Sequence, residues 1–440
     1  MDPSRRRRAL ATVFGVVFLD LLGFSIVIPI LPYYTRAFFP GPGNEVVIGA
    51  LAASYSVMQF LFAPLLGSLS DRYGRRPVLL VSIAGSVLAW TVFGLASALW
   101  MLFVSRMLAG AMGGNISTAQ AYVADVTPVE ERAQALGLLG AAFGLGFVFG
   151  PAIGAVLSFP EVVGAVDGVV DGVAITRYSL PAFAAAAASL VALLVGSVAL
   201  PESRDLGTAT ERRSQVAQLR DAVANDAVRD LLVAFFLLSF AFAGVQTMFI
   251  PYVADVYGYS ESQASLLLTY IGVLAVVVQG GLIGPLTRRF DAVRLTAAGT
   301  GLLAVALGAI PFARELSVLF PDLTGVAGFL TPALFALLFV LALLSLGNGV
   351  VNVTLAALVS TRASADRQGS AFGLTQGAGS LARAVGPVVM GGAYAAVGFR
   401  APFVFGAVLV VPVLLIAARL KRPADAAPAE EQPTDPGHVR

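Results

Sequence analysis

Three ionisable residues, Asp20, Arg106 and Arg383, lie inside otherwise apolar runs of the chain. A carboxylate at the middle of a bilayer costs roughly 2.5–3.5 kcal/mol on insertion scales, so it demands a partner, a water-filled cavity or a proton. Asp20, about midway along its run, suits a proton-carrying site; capping of a helix kinked near Gly23 is the other role open to it. Arg106 keeps its charge at any physiological pH. From the outer half of its run it can reach Asp20 or backbone carbonyls, tuning the acid or holding a structural ion pair. Arg383 shares a helical face with Gln376 and Gly379. With Asp20 ionised, the two guanidinium groups leave the interior positive, which favours an anionic group on a cargo; capping by carbonyls between helices accounts for Arg383 equally well.

A second constellation lies at the edge of an apolar run: Gly67, Asp71, Arg72, Gly74, Arg75 and Arg76, with Asp125 at the end of a later run. Membrane anchoring by positive charge explains the arginines but not Asp71 with both glycines, which permit close helix approach and a tight turn. A gate at this edge is the better reading. Gly137, Gly140, Gly144, Gly146, Gly150 and Gly154 make a small-residue surface for close helix packing, with Pro151 as a kink. Polar residues expected to line a central cavity are Gln59, Asn115, Gln246, Tyr270, Gln279, Asn348, Asn352 and Gln376. Taken singly, each is as consistent with interhelical bonding as with ligand contact. Phe24, Phe143, Phe147 and Phe249 would supply apolar walls.

Other chemistries are excluded or disfavoured. There is no Cys, hence no disulfide or thiolate chemistry, and the one His, His438, lies in a polar tail. No cofactor or metal is expected. No phosphate-binding Gly-Lys-Ser/Thr loop is present, so ATP does not drive the protein directly. No nucleophile–base pair suggests an enzyme. The arginines are spread over many loops rather than one stripe, which disfavours nucleic-acid binding.

The elements that must position these residues follow from composition. Of 440 residues, 12% are charged and 58% hydrophobic, with a mean hydropathy of +0.84. Soluble domains average roughly 25% charged. Twelve apolar runs recur at about 9–34, 46–70, 77–97, 99–125, 133–157, 180–199, 229–254, 262–286, 292–312, 326–354, 368–396 and 400–420. A helix crosses a bilayer with about 20 such residues, so the expected fold is an all-α membrane protein with 12 transmembrane helices. The N-terminal arginines, Arg5 to Arg8, read as the anchor of an uncleaved first helix. With that end inside, only Arg36, Arg177, Arg314 and Arg400 fall in outer loops, and both termini are expected in the cytoplasm.

The halves repeat each other. Gly137-Leu138 to Gly150-Pro151 has the spacing of Gly373-Leu374 to Gly386-Pro387, and Arg132 is echoed by Arg367. Ile30-Leu31-Pro32-Tyr33 parallels Phe249-Ile250-Pro251-Tyr252, and Gly67–Tyr73 parallels Gly284–Phe290 with the acid lost. Six spans per half give both halves one orientation, the parallel repeat of an alternating-access carrier. The expected organisation is a six-helix bundle at 1–200, a cytoplasmic loop at 201–228, a second bundle at 229–420 and a disordered tail at 421–440.

Four motifs carry a specific resemblance: Leu22-Gly23 with Pro29-Ile30-Leu31-Pro32, Gly67 to Arg76, Arg106 with Gly110, and Gly146, Gly150, Pro151 and Gly154. Over essentially its whole length the chain resembles a major facilitator superfamily transporter of the drug/proton antiporter type, similar to tetracycline and multidrug exporters. Ala109 replaces the usual Gln, and Ala155 the final Gly. The resemblance implies two pseudo-symmetric six-helix bundles and proton coupling through Arg106. It implies a latch of Asp71, a loop arginine and Asp125 in the outward-open state, and a seal against leak at the span-five glycines. The expected function is proton-coupled efflux of a small hydrophobic or amphipathic compound by a monomer in the inner membrane. The alternatives are uptake or facilitated passage of a small anionic metabolite, for which Arg383 argues, and a non-transporting membrane sensor.

Overall fold

A computed structural model describes residues 3–113, 115–169, 174–203, 226–362 and 368–420. The expected tail at 421–440, most of the expected loop at 201–228 and Arg367 lie outside the described residues. Eleven helices among the described residues are long and apolar enough to cross a membrane. These are span one (Pro3–Val27), two (Asn44–Tyr73), three (Arg75–Gly94), five (Val129–Leu157), six (Ser179–Ala199), seven (Asp226–Tyr257), eight (Glu261–Arg289), nine (Ala292–Ala309), ten (Pro332–Arg362), eleven (Gln368–Val397) and twelve (Ala401–Leu420). Span four is described in two pieces, Leu99–Met112 and Asn115–Val126.

Three local features depart from a simple succession of apolar runs. Span one stops at Val27; a turn at 28–30 leads into a separate helix, Leu31–Phe38. Pro29 lacks the amide that would continue the ladder, and Pro32 sits in the first turn of the new helix, where that loss costs nothing. The loop after span five carries a short helix, Pro160–Asp167. Span eight contains a π-helical turn at Val278–Leu282, within the Gln279-Gly280-Gly281 stretch. The polar start of span eight is a capping box, Ser260 accepting from the Gln263 amide and Gln263 accepting from the Ser260 amide.

The repeat is visible in which helices touch. Span one packs against five and six, three against six, and two and three against four. In the second half, seven packs against eleven and twelve, nine against twelve, and eight and nine against ten. The halves meet through span two on eleven and span five on eight, an exchange that the twofold relation requires. Ile26, Trp90, Phe93 and Leu102 centre one core; Met248, Phe249, Tyr252, Leu341 and Phe403 centre the other.

Between helices in lipid there is little hydrophobic drive, so close approach depends on small residues. Span five shows this on the face it turns to span one. A Cβ at Gly146 would press on the Leu21 and Leu22 backbone at 3.2–3.3 Å, one at Gly150 on Ser25, and one at Gly154 on the Ile26 carbonyl at 2.8 Å. The Ser25 hydroxyl donates to the Gly146 carbonyl at 2.6 Å and to Leu21 O at 2.7 Å. This seam fixes the segment of span one that carries Asp20 and Phe24. Gly137, on the same helix, has open space around it.

Gly150→Ala should therefore force spans one and five apart, at a cost of about 1–3 kcal/mol. Gly137→Ala, filling open space, should leave stability unchanged or slightly raised. Thermal unfolding of the two purified variants in detergent checks this contrast; equal midpoints would contradict the seam.

Candidate functional site

A cavity of about 1780 Å³ lies between the halves. It runs from Pro32, Ile48 and Pro387 to Gly67, Leu136 and Arg229, residues at the end of the protein that carries the arginine-rich 71–76 loop. Its walls are mainly apolar, with Phe24, Phe143, Phe147, Phe236 and Phe242 exposed to it. Gln59, Gln120, Gln246, Asn348 and Gln376 interrupt them with polar groups. Such a lining accepts a molecule with a large apolar body and few polar points.

Arg106 sits deep in this cavity and is only 5% exposed. Its guanidinium lies over the Tyr55 ring at 4.6 Å and the Phe24 ring at 5.6 Å, and those rings are 5.0 Å apart. Cation–π attraction strengthens when the charge is desolvated, as here. Gly110, one turn further on, makes the arrangement possible: a Cβ there would strike the Tyr55 carbonyl. The Arg-x-x-x-Gly spacing thus brings span four onto span two where the arginine meets the tyrosine. Gln59 donates to the Tyr55 hydroxyl at 3.3 Å and to the Gly113 carbonyl at 3.2 Å.

Asp20 is half-buried on span one, a turn before Phe24, and is not among the residues forming the cavity wall. Tyr55 lines the cavity together with Arg106 and Arg383, and its ring, like that of Phe24 one turn after Asp20, faces the Arg106 guanidinium. Sequence reasoning does not single out Tyr55; its place one turn before Gln59 is the signal available. Arg383, on span eleven, lines the opposite wall and donates to the Ser380 hydroxyl of its own helix at 3.1 Å.

Of the other residues expected at the cavity, Phe24, Gln59, Phe143, Phe147, Gln246, Asn348 and Gln376 are on its wall. Phe249 is not: it is 1% exposed inside the core of the second half. Tyr270 turns its hydroxyl to the Leu338 carbonyl at 3.2 Å. Asn352 bonds back to Asn348 at 2.9 Å, and Gln279 lies in the π-helical turn, off the wall. The side chain of Asn115 lies outside the described ones.

At the arginine-rich end, Arg75 is buried and pairs with Asp71 at 2.8 Å and Asp125 at 3.0 Å, while also donating to Ser70 at 2.6 Å. Glu202, just after span six, accepts from the Arg75 and Arg76 amides at 2.8 and 3.1 Å, capping the start of span three. Gly74 has φ +101°, and a Cβ there would meet the Glu202 carboxylate, so this glycine is required twice over. Arg76 donates to Ser197 O at 2.6 Å, and Arg72 is exposed over Tyr73. All these partners belong to the first half, so the cluster ties spans two, three, four and six together. The spacing of an acid directly after span six is the only sequence hint of Glu202.

The opposite end is closed by ties that cross between the halves. Arg36 grips Asp255 in a two-pronged pair at 2.7 and 2.9 Å and donates to Asn44 at 2.9 Å, with Glu45 at 3.5 Å. Tyr33 crosses to the Tyr259 carbonyl at 2.6 Å, and within the second half Tyr394 donates to Asp255 at 2.6 Å. Arg177 pairs with the buried Glu261 at 3.1 Å. Burial works against the Arg36 charge, but Asp255 and Glu45 outweigh it and hold its pKa above the usual arginine value. Below these ties, spans two and eleven touch backbone to backbone: Gly49 faces the Pro387 carbonyl and Gly391 the Glu45 carbonyl.

Comparison with known proteins gives a consistent picture. The Major Facilitator Superfamily profile matches residues 13–321 and 319–439. The class C tetracycline resistance protein of Escherichia coli is 31% identical over 399 residues, covering 89% of this chain and 91% of that protein. Major facilitator superfamily domain-containing protein 10 of Mus musculus is 28% identical over 97% of this chain and 96% of its own length. Among solved structures, the human organic anion transporter MFSD10 (TETRAN) superposes with a TM-score of 0.65 at 26% identity, covering 95% of this chain and all of that one. A bacterial homolog of the human lysosomal transporter Spinster has a TM-score of 0.73 at 16% identity over 95% of this chain and 98% of its own, a likeness of fold.

Asp255→Asn should weaken the closed end by about 1 kcal/mol, roughly fivefold in the population open there. The chain has no native Cys, so Ile48→Cys gives a single reporter at the inner face of the closure. Its labelling by a membrane-impermeant maleimide from the arginine-poor side should rise in the Asp255→Asn background; unchanged labelling would show that the tie does not hold the end shut.

Proposed function

The chain belongs to the Major Facilitator Superfamily of membrane transporters, and we propose that it expels a small hydrophobic or amphipathic compound in exchange for protons. The observation that carries this reading is a cavity that opens at one end and is tied shut at the other, with Arg106 held on the Phe24 and Tyr55 rings at its depth and Asp20 one turn before Phe24. A carrier must offer its site to one side at a time, and a proton-driven one must place its acid where that change alters the surroundings of the acid. Asp20 takes the proton, and Arg106, held on the Phe24 and Tyr55 rings, sets the field in which it does so. The excess of arginine at the 71–76 end supports a cytoplasmic location for that end, and with it for the termini. The cavity then faces the cytoplasm, ready to load cargo for export from an inner membrane.

The names of the tetracycline resistance relatives support efflux. The cross-half ties at Arg36 and Arg177 are the outer gate on this reading. The Arg75–Asp71–Asp125 cluster, paired here within one half, is the rigid face that the second half meets when the inner end closes. Uptake of a small anion by the same scaffold is the second reading, favoured by Arg383 in the cavity wall. It differs in direction, which flux under an imposed proton gradient decides.

In proteoliposomes loaded with a pH-sensitive dye, cargo movement should carry protons in the native protein. Asp20→Asn should cut pH-driven accumulation by about tenfold or more while leaving exchange of cargo for cargo in place, since removing one proton site abolishes the coupling and not the binding. Full coupling in that variant would exclude Asp20 as the carrier.

A further inference from the structure

The two walls of the cavity are chemically unlike at positions that the repeat makes equivalent. The Gly137–Pro151 segment of span five aligns with the Gly373–Pro387 segment of span eleven, and Phe147 occupies the place that Arg383 holds in the second copy. Both side chains line the cavity. Phe147 stacks edge-on with Phe24 at 6.2 Å, and Phe143 continues that wall, so the first half presents an aromatic surface. Facing it, Arg383 presents a guanidinium.

That guanidinium lacks an acidic partner among the described residues. Its one hydrogen bond to a side chain goes to Ser380, a neutral hydroxyl one turn back on its own helix. Gly379 leaves room for it to lie along the helix: a Cβ there would be 3.3 Å from Arg383 Nη1 and 3.2 Å from Ser239 Oγ. Arginine in a membrane interior normally pairs with an acid or carbonyls. Here Arg383 instead lines the space where cargo binds.

We propose that the cavity selects amphipathic organic anions, the aromatic or apolar body lying on the Phe24–Phe143–Phe147 wall and the carboxylate or sulfonate accepting hydrogen bonds from Arg383. Arg106 lies on the Tyr55 and Phe24 rings at the depth of the cavity and contributes a positive field behind the aromatic wall. The guanidinium fork matches a planar carboxylate or one face of a sulfonate with two parallel donors, which a lysine would replace by a single point charge. The selectivity names the cargo of the site in the export reading and rests on it for direction, but the binding step stands independently.

A matched pair of probes isolates the charge: 1-anilinonaphthalene-8-sulfonate, and N-phenyl-1-naphthylamine, which has the same aromatic body without the sulfonate. Trp90, 6.3 Å from Phe24, is the energy-transfer donor to a bound probe, with Trp100→Phe removing the signal from the exposed second tryptophan. In phosphatidylcholine vesicles the native chain should bind the sulfonate saturably and more tightly than the amine. Arg383→Ala should weaken the sulfonate by about tenfold, the loss expected for one charge-assisted contact, and leave the amine unchanged. Arg383→Lys should recover part of the sulfonate affinity, which a variant that merely misfolds would not do. Equal affinities for the two probes, or a preference that survives Arg383→Ala, would overturn the proposal, as would saturable binding of neither. Loss of sulfonate binding when phosphatidylglycerol is added to the vesicles would reassign Arg383 to a lipid headgroup and overturn it as a cargo site. Transport is read separately on the same vesicles: an amine or sulfonate that binds but never accumulates against a proton gradient defeats the export reading and leaves the anion site standing.

Discussion

A guanidinium cannot shed its charge, and one buried to 5% exposure in the hydrocarbon region has little water to share it with. The arrangement around Arg106 answers that constraint. Tyr55 and Phe24 offer ring faces, Gly110 removes the one side chain that would hold span four away from them, and the span-five glycines hold the Phe24 segment of span one in place. Each of these depends on the one before it. A bulky residue at Gly110 or Gly150 would separate the helices, lower the contact between charge and ring, and leave a cation exposed to lipid or an empty cleft. The motifs that read as separate sequence features are thus parts of one solution to one electrostatic problem.

The two ends of the molecule use polar contacts differently. At the arginine-rich end, Arg75, Asp71, Asp125 and Glu202 bind helices of the same half to each other. At the other end, Arg36 with Asp255, Tyr33 with Tyr259 and Arg177 with Glu261 bind one half to the other. The first set makes a bundle stiff; the second closes that end of the cavity. Ties of the second kind are partly solvated, and each is individually weak, so the closed end is held by their number together with the backbone crossings beneath them.

Much of the architecture is legible in the sequence because the bilayer demands long apolar runs, and these are readable one at a time. The Arg75 cluster is legible too, since Asp71 and Arg75 are a turn apart on adjoining elements and Asp125 ends a neighbouring run. What escapes such reading is the direction a side chain faces. Phe249 and Tyr270 have the right types for a cavity wall but belong to the packed side of their helices. Gln279, in the π-helical turn, lies beside Gly349 of span ten and off the wall. The Arg36–Asp255 tie joins residues too distant in the chain for any local pattern, and Pro29, read as part of a continuous first span, instead ends it.

The crossings at Gly49 and Gly391 have a mechanical consequence. Where main chain rests on main chain, no side chain is seated in a socket, so rolling one half over the other there requires no repacking of a knob from one hole to the next. Resistance to the motion is concentrated at the rim, in the polar ties, while the line of contact itself acts as a low-friction bearing. A substitution that roughened that bearing would slow the turnover of the machine without favouring either of its end positions.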